Sequence, residues 1–287
     1  MIELKAYAKI NLTLEVLGKR HDGYHDIASV LQTVDLADEL RFEPHTELIV
    51  ECDSREIPLE ENLVLKAARM LQEALPEQRG ARIALTKRIP MAAGLGGGSS
   101  DAAATLLGLS RLWDLDLSLS DLGRLARELG SDVTYFLFGG AALIEGRGEI
   151  VTPLPSLPET WAVVAIPPFS LPDKTARLYG SLAESTYTLG SATRDLVLAL
   201  RAGQALSADL LFNTFETVAG ELFPGFPGYR ESLLRAGASS VHLTGSGPSL
   251  FALAGAADEA AALQKRWAAL GLTAELVKTV ANSYNHA

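Results

Sequence analysis

The chain has 287 residues, 48% of them hydrophobic, with one cysteine and a formal net charge of −10. That length favours two domains over one core, and the apolar content argues against disorder. The acidic balance speaks against a sequence-independent nucleic-acid binder, and a lone Cys52 rules out an intrachain disulfide and fits a reducing cytoplasm.

The N-terminal "MIELKAYAKI" lacks the basic and long apolar regions of a secretory signal, and no apolar run approaches the ~20 residues of a spanning helix. No membrane partner is expected. "LTLEVLG", "ELRFEP" and "ELIVEC" alternate apolar and polar residues and read as half-buried strands. Residues 61–75 place Leu63, Ala67, Met70, Leu71 and Ala74 on one helical face, ended by Pro76. "ARIALTKRIP" reads as a strand stopped at Pro90, and a helix is expected from about Ser99, Ser100 and Asp101. A further helix, capped by Ser120, ends near Gly130.

"TPLPSLPET" (152–160) holds three prolines in nine residues and marks a linker, so the domains are expected at 1–153 and 154–287. Beyond it come a strand (161–166), helices (173–236), strands (240–244 and 249–254), a helix (257–270) and a strand (273–280). With the helical middle as one crossover this is the split βαβ order of ferredoxin-like domains. The fold class is therefore α+β, with an N-terminal βαβ-type domain and a site in the cleft between the two.

Four stretches carry chemistry. The first is "PMAAGLGGGSSDAAATLLGL" (90–109), where Gly94, Gly96, Gly97 and Gly98 sit directly before a helix. Bare amides at a helix N-terminus bind phosphate, since orphan donors and the helix dipole point to the same place. The spacing excludes a Walker loop, whose second glycine and lysine would fall on Ser99 and Ser100. It also lacks the third glycine of a dinucleotide fingerprint, again at Ser99. A plain flexible turn is the alternative.

In "AYAKINLTLEVLGKRHDGYH" (6–25), Lys9 and Asn11 share one strand face and Ile10 and Leu12 the other. The pair lines a polar cleft or merely a solvated edge. "DGYH" is a turn that sets Tyr24 beside His25, both able to stack on a planar ring, while Gly23 speaks against His21 and His25 as a helical metal pair. Asp132, in "LGSDVTYFLFGG", is either a helix cap or a general base at the mouth of a core. Gly245, Ser246 and Gly247, in "HLTGSGPSLFAL", form a hairpin turn or a second loop near the ligand.

Together, in this order, the four stretches resemble the small-molecule kinases named for galactokinase, homoserine kinase, mevalonate kinase and phosphomevalonate kinase. Within that superfamily "AKINLTLEV" with "DGYH", "GLGGGSSD" and "GSDV" resemble the branch acting on an alcohol that carries a cytidine diphosphate, in non-mevalonate isoprenoid synthesis. The resemblance implies ATP and Mg²⁺ as cofactors and a small-molecule partner, with neither nucleic acid nor membrane, in a monomer or homodimer. It implies that Pro90, Met91, Ala92, Ala93, Gly94, Leu95, Gly96, Gly97, Gly98, Ser99 and Ser100 wrap the ATP phosphates. It gives Asp132 the role of base and Lys9 that of its partner, a cation that favours the ionised carboxylate. Asn11, Tyr24 and His25 fall on substrate positions, the last two beside the cytosine, with Tyr179 of "TARLY" on the base's other face. Lys174 stands where the family usually has serine or threonine, and no metal ligand is singled out, Ser99, Ser100 and acids elsewhere all qualifying. The other readings are a different small-alcohol kinase, a non-catalytic nucleotide-binding regulator and, weakest on charge, a nucleic-acid module.

Overall fold

Two long strands dominate the first half. β1 (Ile2–Lys19) and β2 (His25–His45) pair antiparallel from Ile2↔Phe42 to Lys19↔His25, with bulges near Tyr7, Asn11 and Val16. The structure, a computed structural model, describes residues 1–54, 58–169 and 171–281. The turn joining the strands closes through Arg20 N–H to Tyr24 O (2.8 Å) and Tyr24 N–H to Asp22 Oδ1 (3.1 Å).

β3 (Leu48–Cys52), α1 (Leu63–Glu73) and β4 (Gly80–Thr86) form a βαβ unit with parallel strands. Asn62 caps α1 by accepting from Val64 N–H at 2.9 Å. The buried face of α1 is Val64, Leu65, Ala67, Ala68 and Leu71, shifted from the expected stripe with which it shares Ala67 and Leu71. The shift follows from packing, because α1 is wedged between β3 and the central helix α2 (Gly97–Leu112). α3 (Leu119–Leu129) is capped by Ser118, not Ser120. A capping box pairs the Ser118 hydroxyl with Asp121 N–H and the Asp121 carboxylate with Ser118 N–H. α4 (Ser131–Phe138) then leads into a hairpin absent from the sequence reading, β5 (Ala141–Gly146) and β6 (Ile150–Pro153).

This first sheet runs β3-β4-β2-β1, with β5 also on β2 and β6 on β5. The second sheet begins with β7 (Trp161–Ile166). α5 (Lys174–Ser181) and α6 (Ser191–Arg201) follow, then the two-residue β8 (Phe212–Asn213), α7 (Glu216–Leu222) and α8 (Phe226–Arg235). β9 (His242–Leu243), β10 (Leu250–Ala254), α9 (Ala257–Ala268) and β11 (Thr273–Lys278) complete it. Its order is β11-β7-β10-β9 with every neighbouring pair antiparallel, the split βαβ arrangement expected. The middle is not one helical crossover, however. β8 leaves the second sheet's helices and pairs parallel with β1, Thr13 opposite Phe212.

β1 therefore serves both halves. Helices α1–α4 close one core over the first sheet. Leu14 and Val16 sit in a second core with Val163, Phe215 and Trp267, and Ala8, Ile10 and Leu12 share a third with Val164, Leu196 and Phe251.

Candidate active site

The glycine-rich segment is anchored before it is exposed. The buried Asp38 carboxylate accepts from Arg88 N–H (2.5 Å), Ile89 N–H (2.8 Å) and Lys87 Nζ (2.5 Å), so the chain leaves β4 in a fixed direction. Strand β4 ends at Thr86, ahead of the expected Pro90, because these side-chain contacts replace the ladder. Ile89, Ala93 and Leu95 are buried as apolar pegs, and Lys9 N–H donates to Leu95 O at 3.0 Å. Gly94 lies between the last two pegs and Gly96 directly after them, at φ +84° and +75°. A Cβ on Gly94 would meet Thr244 O at 2.7 Å, and one on Gly96 would meet Phe136 Cζ at 2.6 Å, so only glycine fits either place. Helix α2 starts at Gly97, two residues earlier than expected, and its first turn is made of the last two glycines.

Two cavities meet over this loop. One of about 300 Å³ is lined by residues 89–99 with Cys52, Asn62, Leu63, Lys87 and Asp101. The other, of about 790 Å³, is lined by Lys9, Asn11, Tyr24, His25, Asp132 and Tyr179, among others. Gly94 and Gly96 line both. Of the eleven loop residues singled out in the sequence (90–100), all but Ser100 line the first cavity; Ser100 is fully buried and its Oγ has no hydrogen-bond partner among the described residues.

In the second cavity Lys9 and Asn11 are buried side by side, Lys9 Nζ donating to Asn11 Oδ1 at 2.7 Å. Asn11 Nδ2 donates to Ser29 Oγ (2.9 Å), which donates to Thr13 O, so the amide is held from behind. Asp132 lies in the first turn of α4, whose cap position is Gly130, and its Oδ2 is 4.0 Å from Lys9 Nζ. The carboxylate is 43% exposed while the amine is 5% exposed. Burial pushes the Lys9 amine below its ordinary pKa, and Asp132 opposes that shift. The second glycine loop closes the roof. Asn11 N–H donates to Thr244 Oγ1 at 3.0 Å, and a Cβ on Gly245 would come within 2.8 Å of Lys9 Nζ.

At the aromatic end His25 and Tyr179 stack on each other, centroids 4.7 Å apart and planes 17° apart. The exposed Tyr24 ring carries the Arg147 guanidinium 4.6 Å above its centroid. Burial, and Lys19 secondarily, lower the His25 pKa, and Tyr187 Oη is 3.3 Å from its Nε2. Burial pushes the Tyr179 phenol up to about 12, so it remains a donor. The sequence reading missed Tyr187 and Arg147, which carry no motif, and Lys87, which holds Asp38 and Asp101 together beside the first cavity. Burial and the neighbouring Asp38 raise the Asp101 carboxyl, while Lys87 holds it down.

Residues 62–140 match the model described as GHMP kinases N terminal domain, and residues 193–271 match GHMP kinases C terminal. A protein of Dehalococcoides mccartyi named 4-diphosphocytidyl-2-C-methyl-D-erythritol kinase is 44% identical over 88% of this chain and 89% of its own length. A crystal structure of 4-(cytidine 5'-diphospho)-2C-methyl-D-erythritol kinase superposes with a TM-score of 0.84 at 35% identity, covering 97% of this chain and 99% of the other. Homoserine kinase from Cytophaga hutchinsonii, 23% identical, shares the fold with a TM-score of 0.70 over 98% of this chain and 95% of its own. With identity and coverage of that order, the chain belongs to the GHMP kinases, in the 4-diphosphocytidyl-2-C-methyl-D-erythritol kinase family.

Proposed function

We propose that the chain transfers the terminal phosphoryl group of ATP to the 2-hydroxyl of 4-diphosphocytidyl-2-C-methyl-D-erythritol, the alcohol named in its relatives. The observation that carries the reading is the junction at Gly94 and Gly96, where a cavity rimmed by loop amides opens onto one containing Lys9 and Asp132. ATP supplies the phosphoryl group when bound, and residues 90–100 with the start of α2 are the donors suited to its phosphates. Asp132 accepts the hydroxyl proton as the oxygen attacks, and Lys9 holds hydroxyl and carboxylate in line. Asn11 keeps Lys9 aimed.

Tyr24, His25 and Tyr179, which line one cavity, are assigned to the cytosine, Tyr24 and His25 beside it and Tyr179 on its other face. The described residues include no cluster of three or more His, Cys, Asp or Glu side chains, which suits an Mg²⁺ ion held mainly by phosphate oxygens and water. Ser99, which lines the first cavity, and Ser100, buried next to it with no hydrogen-bond partner for its Oγ among the described residues, are the chain's candidates to approach it. Residues 1–153 are assigned chiefly to ATP and 154–287 chiefly to roofing the substrate. Among the described residues no helix is long and apolar enough to cross a membrane. A single cysteine is compatible with the cytoplasm.

The test is ADP release with magnesium-ATP against the cytidyl compound, mevalonate, homoserine and galactose. Turnover confined to the cytidyl compound is expected. Turnover on another alcohol instead would keep the kinase chemistry and discard the assignments of Tyr24, His25 and Tyr179.

A further inference from the structure

Among the described residues the ammonium of Lys174, which lies beside the two cavities and lines neither, has no carboxylate counter-charge. Lys174, the first residue of α5, is half-buried, and its Nζ donates to Ala92 O at 2.5 Å and to Gly247 O. These carbonyls belong to the two different glycine loops, and Thr175 Oγ1 adds a bond to Ser246 Oγ at 3.0 Å. Gly247 O is also the atom that a Cβ on Gly94 would meet at 2.9 Å, so the ammonium sits beside the residue where the two cavities join. The backbone at both ends of the contact is held in the left-handed region by non-glycine residues, Ala92 at φ +52° and Asp173 at φ +51°. Such conformations persist where surrounding structure enforces them, often at ligand sites.

Among the described residues no carboxylate lies within 4.0 Å of Lys174 Nζ. Lys9 on β1 repels it, Asp132 on α4 is engaged with Lys9, and Glu216 on the adjacent α7 is turned to Arg230 and Leu243 N–H. On its own element the charged neighbours are Asp173 and Arg177. Neutral carbonyls alone do not offset the desolvation of a half-buried cation, and two of its three N–H donors are spent on them.

We propose that Lys174 is a phosphate-binding cation of this kinase, steadied by one carbonyl from each glycine loop and completed by the terminal phosphates of the nucleotide. The inference rests on the phosphoryl-transfer reading above and adds a residue to it. Burial, with Lys9 secondarily, lowers the Lys174 amine to about 8. Below that pH it is charged and able to pair; above it the pairing is lost. A bound phosphate would draw the pKa upward, so proton uptake accompanies binding at alkaline pH.

The test is calorimetric titration of wild type, K174M and K174R with ATP, ADP and AMP, without the alcohol, and of wild type and K174M with ATP from pH 7 to 9.5. The expected result is at least a tenfold loss of ATP affinity in K174M, less than twofold for AMP, and most of the ATP loss restored in K174R. Wild-type ATP affinity should fall as pH rises through about 8, with no such inflection in K174M. Should K174M not fold, K174Q gives the same comparison. An unchanged ATP-to-AMP ratio overturns the proposal, and so does a variant that loses only thermal stability, which would make Lys174 a strap between loops. A wild-type protein that binds none of the three nucleotides would overturn the transfer reading and this inference with it.

Discussion

At Lys9, burial and charge pull in opposite directions. The side chain is sealed under the second glycine loop, which disfavours its ammonium, while Asp132 and the Asn11 amide favour it. Asp132 is the exposed partner, free to face an incoming hydroxyl. Asp132→Asn keeps the size of the side chain and removes the proposed base, so kcat should fall at least ~100-fold while ATP affinity stays within about twofold. Steady-state kinetics beside ATP calorimetry checks this, and near-normal turnover would leave Asp132 with a purely structural place at the start of α4. These residues were legible in the sequence because alternation along one strand fixes which side chains share a face: Lys9 and Asn11 do, and Ile10 and Leu12 enter the core behind them. The mutual stacking of His25 and Tyr179 was not legible, because it depends on how α5 lies over the β1–β2 turn, which neither segment encodes alone.

Among the elements, the glycine loop separates two uses of glycine that a sequence cannot tell apart. Gly94 is needed by the fold, since its φ of +84° and its contacts to Thr244 O and Gly247 O leave no room for a side chain. Gly98 is helical, and a Cβ there would meet only Leu63 Cδ1, at 3.6 Å. Gly94→Ala should therefore lower the thermal midpoint, by strain of about 1–2 kcal/mol from the left-handed backbone plus the parting of the two loops. Gly98→Ala should hold or raise it, by up to about 1 kcal/mol, yet weaken ATP if the first cavity takes the nucleotide as proposed, because the new methyl enters that cavity. Thermal unfolding and ATP titration of both variants distinguish the roles. A Gly94→Ala protein as stable as wild type would refute the close approach. The run of glycines marked the loop plainly, whereas the β5–β6 hairpin and β8 escaped notice. β8 has only two residues and exists because β1 offers it an edge, a tertiary cause with no local signature.

At the scale of the molecule, the proline-rich stretch at 152–160 separates two sheets but not two cores. β1 contributes Leu14 and Val16 to a cluster whose other buried members all come from beyond residue 160, and Ile10 and Leu12 to one drawn from both halves, and β8 pairs with it from the same side. Four such side chains at about 2 kcal/mol each amount to much of a domain's total stability of ~5–15 kcal/mol. A chain ending at residue 153 would expose much of that surface and lose β8. The full chain is therefore expected to unfold in one calorimetric transition, with equal calorimetric and van't Hoff enthalpies, and the 1–153 piece to show no cooperative transition. Two resolved transitions, or a 1–153 piece that melts cooperatively, would mean that the halves are separable. The same sharing bears on the site. Lys9 and Asn11 lie on the strand that both cores grip, and the roof at Thr244 and Gly245 is bonded to it directly. ATP should then shift the whole transition upward rather than one part of it, because the loop proposed to hold it is pegged by Ile89, Ala93 and Leu95 into a core spanning both sheets.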